Sequence, residues 1–246
     1  MESIIAKHIV MNRKALIYVL TVYVLMSFLL SCTVDMSERT VQDKEQQYKA
    51  IVPTLFTKDE IRLANTAANI SYLTEEEKKV ILYINLARLD GKRFAKDFGS
   101  SYMELTGIAA SNSYAISFYD DLSKVKGLQM LEPLQALCEA AAYHAEDLGK
   151  HGLTGHDSSD GTSFGDRIRR FLPSAGYWLE NCSFGTYNSI AIVAVMQLLV
   201  DNNVPSLGHR KNILNAEMTH VGVAIRPHQS TYKYGCVQDF AGRMKE

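Results

Sequence analysis

Ser206-Leu207-Gly208-His209-Arg210-Lys211-Asn212-Ile213-Leu214 follows the polar break Asp201-Asn202-Asn203-Val204-Pro205. It sets an imidazole and a guanidinium beside a glycine where a loop gives way to the next element, so His209 reads as placed rather than scattered. Two earlier stretches read as its partners: Leu153-Thr154-Gly155-His156-Asp157-Ser158-Ser159-Asp160-Gly161, and Tyr177-Trp178-Leu179-Glu180-Asn181-Cys182. Alone, each residue has a plain explanation: a solvated loop histidine, an exposed strand charge, a helix cap.

Around these stretches the chain alternates helices and strands. Thr57-Lys58-Asp59-Glu60 and Thr74-Glu75-Glu76-Glu77 have capping-box spacing, predicting helix starts there, the first helix running to about Ala67. Val80, Ile81, Ile84 and Ala87 give the second helix one apolar face, and Gly91 is expected to end it. Phe94 to Lys126 shows no clear period. Pro133 opens another helix, with Leu134, Leu137, Cys138, Ala141, Ala145 and Leu148 on one face. Ser189 to Val200 is apolar on most sides, as a helix buried on more than one face would be. His220–Ile225, Tyr232–Phe240 and the segment around Asn181-Cys182 read as strands. Connections too irregular for repeated βαβ units make this an α+β domain.

Composition narrows the function. With 246 residues, 47% hydrophobic and 22% charged, the chain is globular; a net charge of -1 and no basic stripe argue against nucleic acid. Arg13 and Lys14 precede an apolar run from Ala15 to Leu30, shorter than the roughly 20 residues that span a bilayer. It closes in Leu29-Leu30-Ser31-Cys32 and resembles a bacterial lipoprotein signal, the alternative being a short membrane helix. The expected organisation is a signal peptide over 1–31, cleaved before a lipidated Cys32, then a tether and short helix over 32–73, and a domain over 74–246. Met11-Asn12-Arg13-Lys14 is a more typical signal start than Met1. Outside the cytoplasm three cysteines remain: Cys138 reads as a buried hydrophobe, while Cys182 and Cys236 either form a disulfide or stay as buried thiols.

The joint pattern is more specific than its parts. Gly155-His156, Asp160-Gly161-Thr162-Ser163-Phe164, Asp166-Arg167-Ile168, Glu180-Asn181, Gly208-His209-Arg210, Asn212-Ile213-Leu214, His220-Val221-Gly222-Val223 and Gln238-Asp239-Phe240 resemble, in order and spacing, the bacterial CAP superfamily (cysteine-rich secretory, antigen 5 and pathogenesis-related 1 proteins, SCP-like). Asn85 and Arg88 resemble the Asn and Arg of that family's first helix, and His144 falls where members often carry histidine. The resemblance implies a three-layer α-β-α sandwich, with part of 94–126 an insertion. It implies a cleft holding His156, His209, Glu180 and, where relatives have Trp-x-x-Glu, Asp201 of Leu198-Leu199-Val200-Asp201.

Two imidazoles with two carboxylates suit a divalent cation, Zn²⁺ above all, with His156 and His209 as ligands and Glu180 and Asp201 beside them. The same groups suit acid–base work, but neither a Gly-x-Ser-x-Gly elbow nor a His-Glu-x-x-His motif is present. Three functions stay open. One is a lipid-anchored module of the bacterial envelope, facing outside the cytoplasm, that binds a metal, a small apolar ligand or a protein partner. Another is a hydrolase of peptide or cell-wall material using Glu180 as base and a metal or His209 as electrophile. The last is a structural envelope protein.

Overall fold

The structure, a computed structural model, describes residues 53–173, 176–187 and 190–242. The signal segment, Cys32 and the first part of the tether lie outside the described residues. Both capping boxes form. Thr57 starts α1 (Lys58–Ala64) and Thr74 starts α2 (Glu75–Leu89), each threonine accepting from the backbone of Glu60 or Glu77 while that carboxylate reaches back to the threonine N–H at 2.8 Å.

The segment that reads as irregular is helical. Asp90 closes α2 and caps α3 (Gly91–Thr106), accepting from Arg93 N at 3.0 Å, and Asn112 caps α4 (Ser113–Ser123). Gly91 therefore begins a helix instead of breaking one. Its glycine serves close packing, since a Cβ there would stand 2.5 Å from the Leu122 carbonyl oxygen on α4. Phe94, Ala95, Phe98, Tyr102 and Met103 form the buried stripe of α3; the glycines and serines between them dilute the period.

The chain continues through β1 (Glu132–Pro133), α5 (Gln135–His151), α6 (Phe164–Phe171), β2 (Trp178–Gly185), α7 (Ile190–Val200), α8 (Gly208–Ile213), β3 (Met218–Pro227) and β4 (Tyr234–Gly242). Pro133 lies in β1, two residues ahead of α5. The sheet order is β1-β3-β4-β2, with β1 parallel to β3 and the other pairs antiparallel. Leu137, Ala141 and Ala145 of α5 and Ile168 of α6 pack on the face made by Val237, Ala241 and Ala224. On the other face, Val221, Val223, Cys236 and Phe240 meet α2, α3, α4 and α7. This is the expected α-β-α sandwich, and β4, covered on both sides, is buried throughout.

Three contacts fix the layers. Gly222 lies so close to α5 that a Cβ would stand 2.1 Å from the Leu137 carbonyl carbon. Asn85 accepts from Leu131 N at 2.8 Å and donates to the carbonyls of Ala64 and Leu131. Arg88, wholly buried, donates to the carbonyls of Gln129, Ile213, Asn215 and Met218 at 2.8–3.1 Å. The Asn and Arg of the first helix are thus clamps that hold the β1 approach and the end of α8, satisfying carbonyls that would otherwise be buried without donors.

Candidate functional site

The site forms at the outer edge of β2. In strand register Glu180 and Cys182 share the face of Asp239 and Val237, whereas Asn181 and Ser183 share the opposite face with Gln238 and Cys236. Alternation therefore sends Cys182 and Cys236 to opposite sides of the sheet. Of the two readings of Cys182 and Cys236, the disulfide is not formed; Cys138, Cys182 and Cys236 are all free thiols. Cys138 is buried as expected, and burial pushes its pKa up to about 11.

Glu180 is the hub of the α5 side. Its side chain is 1% exposed; Oε1 accepts from His156 Nδ1 at 2.8 Å, and Oε2 is engaged by Arg167 Nη2. Burial alone would raise its pKa, but the His156 hydrogen bond and the Arg167 guanidinium outweigh that and hold the carboxyl below its ordinary value. Ser163 caps α6 and so aims Arg167 inward, where Nη1 also donates to the His156 carbonyl (2.9 Å) and to Ser158 Oγ (3.2 Å). Gly155, at φ 117°, makes the turn before His156. His156 keeps half its side chain in solvent, and the Glu180 hydrogen bond raises its pKa.

Two further groups lie beneath. His144 Nε2 is 3.1 Å from the Gly155 carbonyl and 3.8 Å from Glu180 Oε1; since a carbonyl only accepts, Nε2 carries the hydrogen. Burial lowers the His144 pKa and favours the neutral ring. Asp239 is fully buried opposite Glu180, and among the described residues no donor reaches either of its oxygens. The group beside it is the Glu180 carboxylate, so a hydrogen bond between them exists only if Asp239 keeps its proton. Burial and the Glu180 charge both push its pKa well above the carboxylate range.

The second histidine has its own acid. The link from α7 to α8 turns through Asp201, Asn203 and Leu207, all at positive φ (56°, 66° and 51°). That turn folds Asp201 under the start of α8. Its Oδ1 accepts from His209 Nδ1 at 2.6 Å, and its Oδ2 from the backbone N–H groups of His209 and Arg210 at 3.0 and 3.3 Å. Asp201 is thus the acid of His209. Asn181 Nδ2 donates to the His209 carbonyl (3.2 Å), and Asn212 Nδ2 to Asn181 Oδ1 (2.9 Å), docking α8 on β2. Arg210 turns away from the cleft. Its guanidinium reaches Asp121 Oδ2 (2.8 Å) and Ser117 Oγ (3.1 Å) on α4.

Each predicted histidine is therefore paired with a predicted carboxylate, as His156–Glu180 and His209–Asp201. His209 and Asp201 line a cavity of about 400 Å³ that extends to Cys182, whose Sγ lies 3.9 Å from His156 Nδ1. Burial raises the Cys182 pKa well above its ordinary value, which disfavours a thiolate nucleophile. Among the described residues, one group has metal-ligand spacing: His144, Glu180 and Cys182, with ligand atoms within 4.8 Å of one another. Three of its features oppose a cation: Nε2–H of His144 points at Gly155, Arg167 adjoins Glu180, and Cys182 holds its proton. Arg167 and Asp239 gained no role from the sequence, and Cys182 gained none in the cleft. Their spacing carries no sign of burial, although Arg167 next to Ile168, four residues after a capping serine, marks an inward helix face.

The cysteine-rich secretory protein (CAP) family profile matches residues 83–240. Similar solved structures include an extracellular protein containing an SCP domain from Bacillus anthracis (24% identity, 58% of this chain, 40% of that one, TM-score 0.39). Another is an outer surface protein from Borrelia burgdorferi (22% identity, 55% of this chain, 96% of that one, TM-score 0.40). The chain thus spans less than half the length of the Bacillus protein. A search of the curated proteins finds no significant match.

Proposed function

The chain belongs to the cysteine-rich secretory protein (CAP) family, and from that premise we propose that it is a lipid-anchored protein of the bacterial envelope whose cleft binds a divalent metal, Zn²⁺ above all. One observation carries the metal reading. Both histidines give Nδ1 to a buried carboxylate, which fixes the Nδ1–H tautomer and leaves the Nε2 lone pair as the ligand atom. Neither Nε2 is hydrogen-bonded among the described residues. Glu180 and Asp201 orient the rings and make them better ligands; they need not touch the ion. Two imidazoles leave coordination positions open to water or a ligand.

Hydrolysis with Glu180 as general base gains no support from this geometry, because its side chain is 1% exposed and both oxygens are engaged. Anchoring rests on Cys32 and the apolar run before it. Among the described residues no helix is long and apolar enough to cross a membrane.

Calorimetric titration of Zn²⁺ into chelator-treated full chain tests the metal reading. Binding is expected in the wild type and lost in the His156→Ala, His209→Ala double variant. It should weaken as pH falls through the His156 pKa, which the Glu180 bond lifts above 6.5, because the protonated ring cannot ligate. Equal binding by both proteins would put the metal elsewhere, and binding by neither would leave the dyads as structural hydrogen bonds.

A further inference from the structure

The cavity beside His209 has a wall that the rest of the site does not require. Tyr102 and Thr106 of α3 and Ile108 just after it close its outer side, so the segment over 94–126 builds part of the pocket. The remaining wall comes from the end of β2, from α7 and the link to His209, and from Tyr232 ahead of β4.

Its chemistry narrows the occupant. Among the described residues neither lysine nor arginine lines it, so an anion meets only His209, itself paired with a carboxylate. An organic cation, which needs a free carboxylate, fares no better. Asp201, the acidic group in the lining, has both oxygens taken by the His209 ring and the N–H groups of His209 and Arg210. An acyl chain would strip water from polar groups that lack protein partners and give nothing in return. The Gln197 amide is one, exposed on α7, and the Tyr102 hydroxyl another, with no hydrogen bond among the described residues. Asn202 accepts from Asn112 at 3.3 Å through Oδ1, leaving its Nδ2 free. Flat faces are supplied by Phe184 and Tyr232, ring centroids 5.6 Å apart and tilted 35°, and by Tyr187.

Aromatic faces, unspent amide and hydroxyl groups and no unpartnered charge match a neutral sugar, whose C–H face packs on a ring while its hydroxyls take up the hydrogen bonds. We propose that this cavity is a binding site for a neutral saccharide of one or two rings; its 400 Å³ is the volume of a small-molecule pocket. The inference uses no metal and stands apart from the reading of the two histidines.

The test is calorimetry on the full chain in a sugar-free detergent, with N,N′-diacetylchitobiose and cellobiose as probes, before and after chelation. Saturable binding of at least one sugar is expected and should persist in chelator. Gln197→Ala and Tyr232→Ala should each weaken it by about tenfold. Both side chains are exposed, Tyr232 by 38%, so neither variant threatens the fold. Three results would each overturn the proposal: no saturation by either sugar up to about 10 mM, about 2.7 kcal/mol of free energy; binding indifferent to both variants; or binding that vanishes with the metal.

Discussion

Replacing Asp239 by Asn tests the charge assignment at the heart of the site. Asp239 is fully buried with Glu180 beside it, so the folded protein holds it as the neutral acid, while the unfolded chain releases that proton above a pKa of about 3.9. The sign follows from proton counting. The native state binds one more proton than the unfolded state, so stability falls as pH rises from the unfolded pKa to the raised folded one. The slope is about 1.4 kcal/mol per pH unit for one proton. Asparagine has nearly the same shape, donates to Glu180 as the acid does, and does not titrate. Urea unfolding of wild type and Asp239→Asn, at half-unit steps from pH 5 upward, should give a difference in stability that grows in the variant's favour by that slope. Parallel pH profiles would show that Asp239 is ionised in the fold and refute the assignment.

Arg88→Leu removes the donor to four carbonyls, and at about 1–3 kcal/mol for each orphaned group it should abolish or nearly abolish folding, read by circular dichroism and thermal melts. Gly222→Ala forces a methyl into the α5 backbone and should cost at least about 2 kcal/mol in urea unfolding, a core overpacking effect. Cys32→Ser should abolish incorporation of labelled fatty acid and release the protein from membranes; unchanged labelling would refute lipid anchoring.

The sequence showed those parts of the fold and site that depend on residue type at a fixed spacing. Two capping boxes placed α1 and α2, and the pattern around His156, Glu180 and His209 placed both dyads with their acids. It did not show what depends on which face a residue meets. Gly91 looked like a breaker because a glycine needed for helix–helix contact and one needed for a turn are the same letter. Whether Cys182 and Cys236 pair stayed open because strand register, which sends them to opposite faces, is settled only when the strands pair. Arg167 and Asp239 gained their roles from burial, which comes from α6 and β4 closing over β2.

The bond from Arg210 to Asp121 ties the cleft to α4 and the segment that carries it. Histidine and arginine are neighbours in sequence yet serve opposite masters: His209 faces the cavity, and Arg210 is held by α4. A shift in how α4 sits would be felt one peptide bond away, as a change in the direction of the imidazole. Shortening the segment would therefore strand a buried guanidinium as well as remove a wall. Chains that lose it should also have replaced the arginine after the histidine, or given it a new acid.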